Sequence, residues 1–338
     1  MLTRVLLLSL VVALFSFVQA AQFSNPIRNS GPDPFIVYDD VTKKYYLMST
    51  TGKDLRLVSS STLGGLKDGT NTQVYTSDAE QKSGKSFKEL HKIDGSWYIY
   101  YTLDERPWVV KGGANPPFLR LTRITPRAET SHSIDGTVLK YSGKNYFVWS
   151  CHTDNPSADS LCICPLTNPT TLDWAHTGVI SYPRADWEKQ GGASINEGPS
   201  ALYWGGQTYL TFSASHCKTA SYSLGLLHLT GSDPLDFNSW TKTEGPVFQS
   251  GNGEYGPGHN AIFTSPDGKE LWNVYHAVTN SAGSWYVSPT PPCLVVLPHA
   301  FLLYLTLAYS GTDRQTFAQP VDLSQFSAKG PLFGTPLK

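Results

Sequence analysis

The stretch Ser194-Ile195-Asn196-Glu197-Gly198-Pro199 sets one carboxylate, Glu197, just ahead of a strand-like run, Ala201-Leu202-Tyr203-Trp204. A Gly205-Gly206 turn follows, then a second strand-like run, Thr208-Tyr209-Leu210-Thr211-Phe212-Ser213. Alternating β-branched and aromatic residues on either side of a Gly-Gly pair read as a hairpin. The same layout recurs at four other places. Pro32-Asp33-Pro34 precedes Phe35-Ile36-Val37-Tyr38, Ser133-Ile134-Asp135-Gly136 precedes Thr137-Val138-Leu139, and Glu89 leads into a hairpin turning at Asp94-Gly95. Gly258-His259-Asn260 precedes Ala261-Ile262-Phe263, with a turn at Asp267-Gly268.

Third strands are expected at residues 55–60, 118–122, 161–166, 224–229 and 314–321, with weaker fourth strands behind several of them. Three or four antiparallel strands per unit, repeated five times, predict an all-β, five-bladed β-propeller occupying residues 21–338 as one domain. In that architecture the first strand of each unit is innermost. Asp33, Glu89, Asp135, Glu197 and His259 then converge on one axis from five directions, without any local motif.

Composition agrees with that reading. Of 338 residues, 16% are charged and 12% aromatic, with 29 Gly and 23 Pro, a mixture that suits short strands and tight turns. The formal net charge of −1 gives no electrostatic case for nucleic acid or an anionic membrane as partner. Residues 1–20 read as a secretory signal peptide: Arg4, an apolar run over residues 5–18, and the small-x-small ending Val18-Gln19-Ala20. The expected destination is extracellular, with no membrane attachment after cleavage, and the expected state is a monomer.

Cys162-x-Cys164 has no second pair to complete four zinc ligands, so a structural or disulfide role is expected. One segment has no repeat partner: residues 287–310 are apolar and Pro-punctuated, and contain Cys293. They read as an anomalous insertion in the fifth unit, either a hydrophobic lid or a translated intron.

Three carboxylates on one axis suit glycoside hydrolysis, which needs an acid, a base, and surroundings that push their pKa values apart. Each also has a plainer reading. Asp33 between prolines and Asp135 before Gly136 can shape turns, and Glu197 can be a solvated strand-end charge.

Gly31-Pro32-Asp33-Pro34, Ser133-Ile134-Asp135-Gly136, Asn196-Glu197-Gly198-Pro199 and Gly256-Pro257-Gly258-His259-Asn260 resemble the motifs of glycoside hydrolase family 43. The resemblance implies a five-bladed propeller and an inverting enzyme acting on arabinose- or xylose-containing glycans. It implies Asp33 as general base, Glu197 as general acid, and Asp135 as the residue that raises the Glu197 pKa and orients substrate. It implies Glu89 and Arg314 as substrate contacts, although Ser86-Phe87-Lys88-Glu89 departs from the family's usual Trp-Ala-Pro-Glu; Trp108, read in a long loop of the second unit, is a candidate for stacking on a sugar. It implies His259 as the axial histidine, which in some members binds calcium or another ion. No cofactor is needed for the chemistry.

The phrases around His91-Lys92-Ile93 and Thr211-Phe212-Ser213 look most like members that release arabinofuranose. A β-xylosidase or bifunctional enzyme is the alternative. A glycan-binding propeller without catalysis is the alternative of another class.

Overall fold

The structure is a computed structural model that describes residues 24–51, 54–76, 88–114, 120–122, 132–153, 157–284, 314–322, 333 and 335–337. The expected signal peptide and the 287–310 segment lie outside the described residues.

The described chain is mostly β, with a few short 3-10 turns between strands. The first unit is an antiparallel sheet of β1 (Phe35–Asp39), β2 (Lys44–Met48), β3 (Asp54–Ser60) and β4 (Thr70–Thr76). The second is β5 (Lys88–Ile93), β6 (Ser96–Leu103), β7 (Arg106–Lys111) and β8 (Arg120–Thr122). The third strand of this unit is therefore Arg106–Lys111, and the run expected as third becomes the fourth. The third unit is β9 (Ser133–Tyr141), β10 (Lys144–His152) and β11 (Ala158–Asn168), edged by β12 (Thr171–Leu172) and β13 (Gly178–Ser181). The fourth is β14 (Ser194–Trp204), β15 (Gln207–Ala214), β16 (Ser223–Leu229) and β17 (Trp240–Lys242). A two-residue parallel contact, Ala158 and Asp159 beside Ser194 and Ile195, joins the third and fourth units into one sheet. The fifth is β18 (Tyr255–Thr264), β19 (Leu271–Val278) and β20 (Gln315–Pro320).

The N-terminal segment supplies what the fifth unit lacks. Arg28 and Thr316 exchange backbone hydrogen bonds of 3.2 and 2.9 Å. The Asn25 side chain both donates to the Ala318 carbonyl and accepts from its N–H, each at 2.9 Å. The chain before β1 thus lies along β20, fastening the beginning of the described fold to its end.

Apolar side chains fill the spaces between successive units. Tyr98, Tyr100 and Val109 of the second pack on Phe147 and Trp149 of the third. Leu139, Val148 and Leu161 of the third pack on Leu210, Phe212 and Leu227 of the fourth. Leu224 and Leu226 of the fourth pack on Tyr275 and Phe317 of the fifth. The remaining cluster holds Ile36 and Leu47 of the first unit between Trp97 and Ile99 of the second and Val274 and Ala318 of the fifth. The order of contact is therefore cyclic. Strands buried on both faces need apolar residues at consecutive positions, which explains runs such as Tyr98-Ile99-Tyr100-Tyr101. Trp97 and Trp149 are core residues, as expected from their places in strands.

A disulfide joins Cys151 of β10 to Cys162 of β11, with Cα atoms 5.9 Å apart. Cys164, two residues on, is a free thiol buried in the same cluster, so the Cys-x-Cys pair is split between two roles.

Close packing sets the residue type beside the expected site. A Cβ on Gly136 would lie 2.0 Å from Cζ of Phe147, which is itself 1% exposed and has nowhere to move. Gly136→Ala should therefore cost about 1–3 kcal/mol of stability through overpacking, read as a lowered midpoint in urea unfolding with an unchanged slope.

Candidate active site

The first strands do not run straight into the centre. At the start of four units the backbone kinks through the left-handed region, at Asp33 (φ 53°), Asp135 (φ 58°), Gly198 (φ 54°) and His259 (φ 48°). Such a conformation is costly for a side-chain-bearing residue and needs support from its surroundings. Ladder register slips at three of the four, between Val148 and Ser150 opposite Asp135, between Glu197 and Ser200, and on both sides of Gly258.

Each kinked residue's N–H is taken up by a side chain of the preceding unit. Asp33 N–H donates to His276 Nδ1 (3.1 Å), Asp135 N–H to Thr102 Oγ1 (3.1 Å) and His259 N–H to Ser213 Oγ (2.7 Å). Gly198 N–H donates to the Asp135 carboxylate. At Gly198 a glycine is required: its φ is positive and a Cβ would sit 3.1 Å from the His259 ring.

These kinks gather Asp33, Asp135, Glu197, His259 and Arg314, each no more than 9% exposed. Arg314 Nη1 donates to Asp33 Oδ1 at 2.6 Å, while Nδ1 of His276 and of His259 lie 3.3 and 3.5 Å from the same oxygen. Burial alone would raise the Asp33 pKa. The Arg314 charge, then His259 and His276, more than offset it and hold Asp33 well below the usual carboxylate range. Burial instead holds both histidines below their ordinary value, His259 at about 4, so both rings are neutral near pH 7.

Glu197 goes the other way. Burial raises it to about 7, a hydrogen bond from Tyr222 opposes the rise, and the charges of Asp159 and Asp33 add to it. Asp135 is raised well above its ordinary value, by burial first and then by Glu197. Two buried negative charges that act on each other resist ionising together.

The other expected residues fall elsewhere. Glu89 is fully buried, 2.6 Å from His91 Nε2, and sits opposite Tyr100, two residues before Thr102 on β6. It is thus two residues along its strand from the level of Thr102, and sealed from solvent. Trp108 was expected in a long loop; it lies in β7, directly opposite Tyr101 and stacked on it at 6.4 Å. Arg314 is a partner of Asp33 first.

Calcium takes six to eight oxygen ligands. His259 offers nitrogen, and the nearby Asp33 oxygen is already held by Arg314. Among the described residues no group of three His, Cys, Asp or Glu ligand atoms gathers there. The residues around His259 do not by themselves make a calcium cage.

Two features were not read from the sequence. Tyr222, fully buried, donates to Glu197 Oε1 at 2.7 Å and stacks on His276 at 5.7 Å. Asn196, the residue before Glu197, is clamped on several sides. Its Nδ2 donates to Glu188 Oε1 (2.9 Å), and its Oδ1 accepts from Ser181 Oγ (2.6 Å) and Lys242 Nζ (2.9 Å). Ser150 Oγ donates to its carbonyl at 3.0 Å. Lys242 also donates to the buried Glu188 carboxylate. The Asn-Glu-Gly-Pro motif showed Asn196; its partners lie 8 and 46 residues away, with no pattern to announce them.

The sequence profile described as Glycosyl hydrolases family 43 matches residues 23–325. The chain belongs to that family. Among family 43 relatives, an extracellular exo-alpha-(1->5)-L-arabinofuranosidase of Streptomyces avermitilis is 35% identical over 274 residues, 75% of this chain and 56% of that protein. A protein of the same description from Streptomyces chartreusis is 31% identical over 76% of this chain and 83% of its own length. The chain thus spans little more than half of the first relative's length. The solved structure of an alpha-L-arabinofuranosidase from Lactobacillus brevis superposes with a TM-score of 0.77 at 25% identity, covering 93% of this chain and 97% of that one.

The clamp on Asn196 predicts its own failure mode. Lys242→Met leaves the Glu188 carboxylate buried without its cation, and should destabilise the fold by about 3–5 kcal/mol in chemical denaturation. Lys242→Arg should recover part of that loss.

Proposed function

We propose that this chain is a secreted, inverting α-L-arabinofuranosidase built as a five-bladed β-propeller. The cyclic packing of five units supports the architecture. So does a cavity of about 520 Å³ lined from all five first strands, by Ile36, His91, Val138, Ala201 and Ile262 among others. Secretion is supported by the apolar leader and by the word extracellular in the relatives' descriptions.

One observation carries the activity: buried carboxylates whose surroundings push their pKa values in opposite directions, Asp33 down and Glu197 up to about 7. Asp33, held ionised by Arg314, is the general base that takes a proton from the attacking water. Glu197 carries a proton near neutral pH and gives it to the departing glycosidic oxygen. Asp135 accepts the Gly198 N–H, and so fixes the turn that follows Glu197. Inversion follows because the base activates water on the face of the sugar opposite the leaving group. The names of the relatives favour arabinofuranose over xylose.

The test is hydrolysis of α-1,5-linked arabino-oligosaccharides, with the anomer first released read by NMR. Inverted arabinose is expected; retained configuration would falsify the base assignment. Glu197→Gln and Asp33→Asn should each lower kcat by a hundredfold or more. With an aryl arabinoside carrying a good leaving group, Glu197→Gln should recover activity and Asp33→Asn should not.

The pH profile has a definite sign. Activity is lost as pH rises through the Glu197 pKa, placing the alkaline limb of kcat/KM near pH 7. Tyr222→Phe removes a hydrogen bond that favours ionised Glu197, so the limb should move to higher pH.

A further inference from the structure

A cavity of about 410 Å³ adjoins the carboxylate site, and three arginines line it: Arg28, Arg56 and Arg314. Arg28 belongs to the segment fastened along β20, Arg56 to β3, and Arg314 stands just before β20. The closure of the first unit against the fifth brings them together. Arg314 is common to cavity and site: its Nη1 holds Asp33 Oδ1 at 2.6 Å, and the same residue lines the cavity. The exposed polar residues Ser30, Thr51 and Asn71 complete the part of the lining that concerns a ligand.

Two of the three guanidinium charges already face a carboxylate. Arg314 faces Asp33, while Arg56 Nε donates to Asp54 at 2.8 Å and its Nη2 to Gln73 at 3.1 Å. Arg28 pairs with no carboxylate among the described residues. Its Nη1 donates instead to the carbonyls of Leu66 and Lys67, at 3.3 and 3.0 Å. Those two bonds fix the guanidinium and leave Nε and Nη2 for a further acceptor. Three arginines against two partner carboxylates leave one positive charge over.

A fixed guanidinium suits a carboxylate, which it grips through two parallel N–H donors. Hydroxyl and amide side chains suit the hydroxyls of a sugar, and the volume falls in the range of small-ligand sites. We propose that this cavity is a subsite for a uronic acid residue, so that the enzyme favours arabinofuranose carried on acidic oligosaccharides. Arg28 and Arg56 hold the carboxylate, and Ser30, Thr51 and Asn71 take up ring hydroxyls. A neutral chain reaches the same catalytic carboxylates but leaves Arg28 without an anion. The sugar released rests on the arabinofuranosidase reading; the carboxylate bound does not.

The test compares kcat/KM on arabinofuranosylated oligosaccharides bearing glucuronate, of xylan type, or galacturonate, of pectin type. Each is paired with its carboxyl-reduced form, which loses the charge and keeps the ring. At least one acidic substrate should be preferred over its reduced form by about tenfold, the size expected of one charge-assisted hydrogen bond. The preference should shrink as salt is raised. In Arg28→Gln and in Arg56→Gln, with melting curves confirming that both fold, the ratio should fall towards one. Equal kcat/KM for charged and reduced forms in both series, or a preference kept in both folded variants, would overturn the proposal. If no form is cleaved, the arabinofuranosidase reading fails, and calorimetry with digalacturonate and its reduced form decides the cavity by itself. Binding of the acid alone, lost in Arg28→Gln, would support it; equal binding of the two forms, or of neither, would overturn it.

Discussion

The structure depends on where four backbone N–H groups go. A strand that kinks through positive φ loses a ladder partner at the kink, and a buried N–H without an acceptor costs about as much as a lost hydrogen bond. Here His276, Thr102, Asp135 and Ser213 each accept one, and each belongs to the unit before. The kink places the functional side chain, and its support comes from the neighbouring unit. Site geometry and the packing of one unit on the next are therefore one problem. At Asp33 the supporting unit is the fifth, so this part of the site exists only once the two ends of the described fold meet.

The ionisation pattern follows from the same geometry. All three carboxylates are buried, which by itself raises every one of them. Among the described residues only Asp33 of the three has a cation within hydrogen-bond reach, and Arg314 reverses its direction. Glu197 receives a neutral phenol donor instead, which moderates its rise without undoing it. One burial environment thus lowers the pKa of one carboxylate and raises that of another, separated by which unit contributes the arginine. His276, equivalent in position to Thr102 and Ser213, supports the backbone of Asp33 as a neutral ring.

Much of this was legible in the chain. Hairpins turning at Asp94-Gly95, Gly205-Gly206 and Asp267-Gly268 fixed the first two strands of their units, because such turns tolerate positive φ. The kinks fall within Pro32-Asp33-Pro34, Asp135-Gly136 and Glu197-Gly198-Pro199, motifs built of turn residues. Glu89 and Trp108 take their places from strand pairing. Glu89 leads into a hairpin as the others do, but its register sets it opposite Tyr100, two residues from the level of Thr102, and register is decided by cross-strand pairing. Trp108 follows a turn and reads as part of a long loop, but pairing with Tyr101 draws it into a strand.

Local sequence alone determined the strands, the turns and the candidate carboxylates, because alternation and turn chemistry act over a few residues. Tertiary structure alone decided the protonation states, the Tyr222 and Lys242 contacts, and the meeting of Arg56 and Arg314 on one cavity. Those depend on distances between residues 25 to 281 positions apart, or on which faces two strands turn to each other. Coulomb energies and desolvation are set by such distances and by burial, and neither is written in any single stretch of chain.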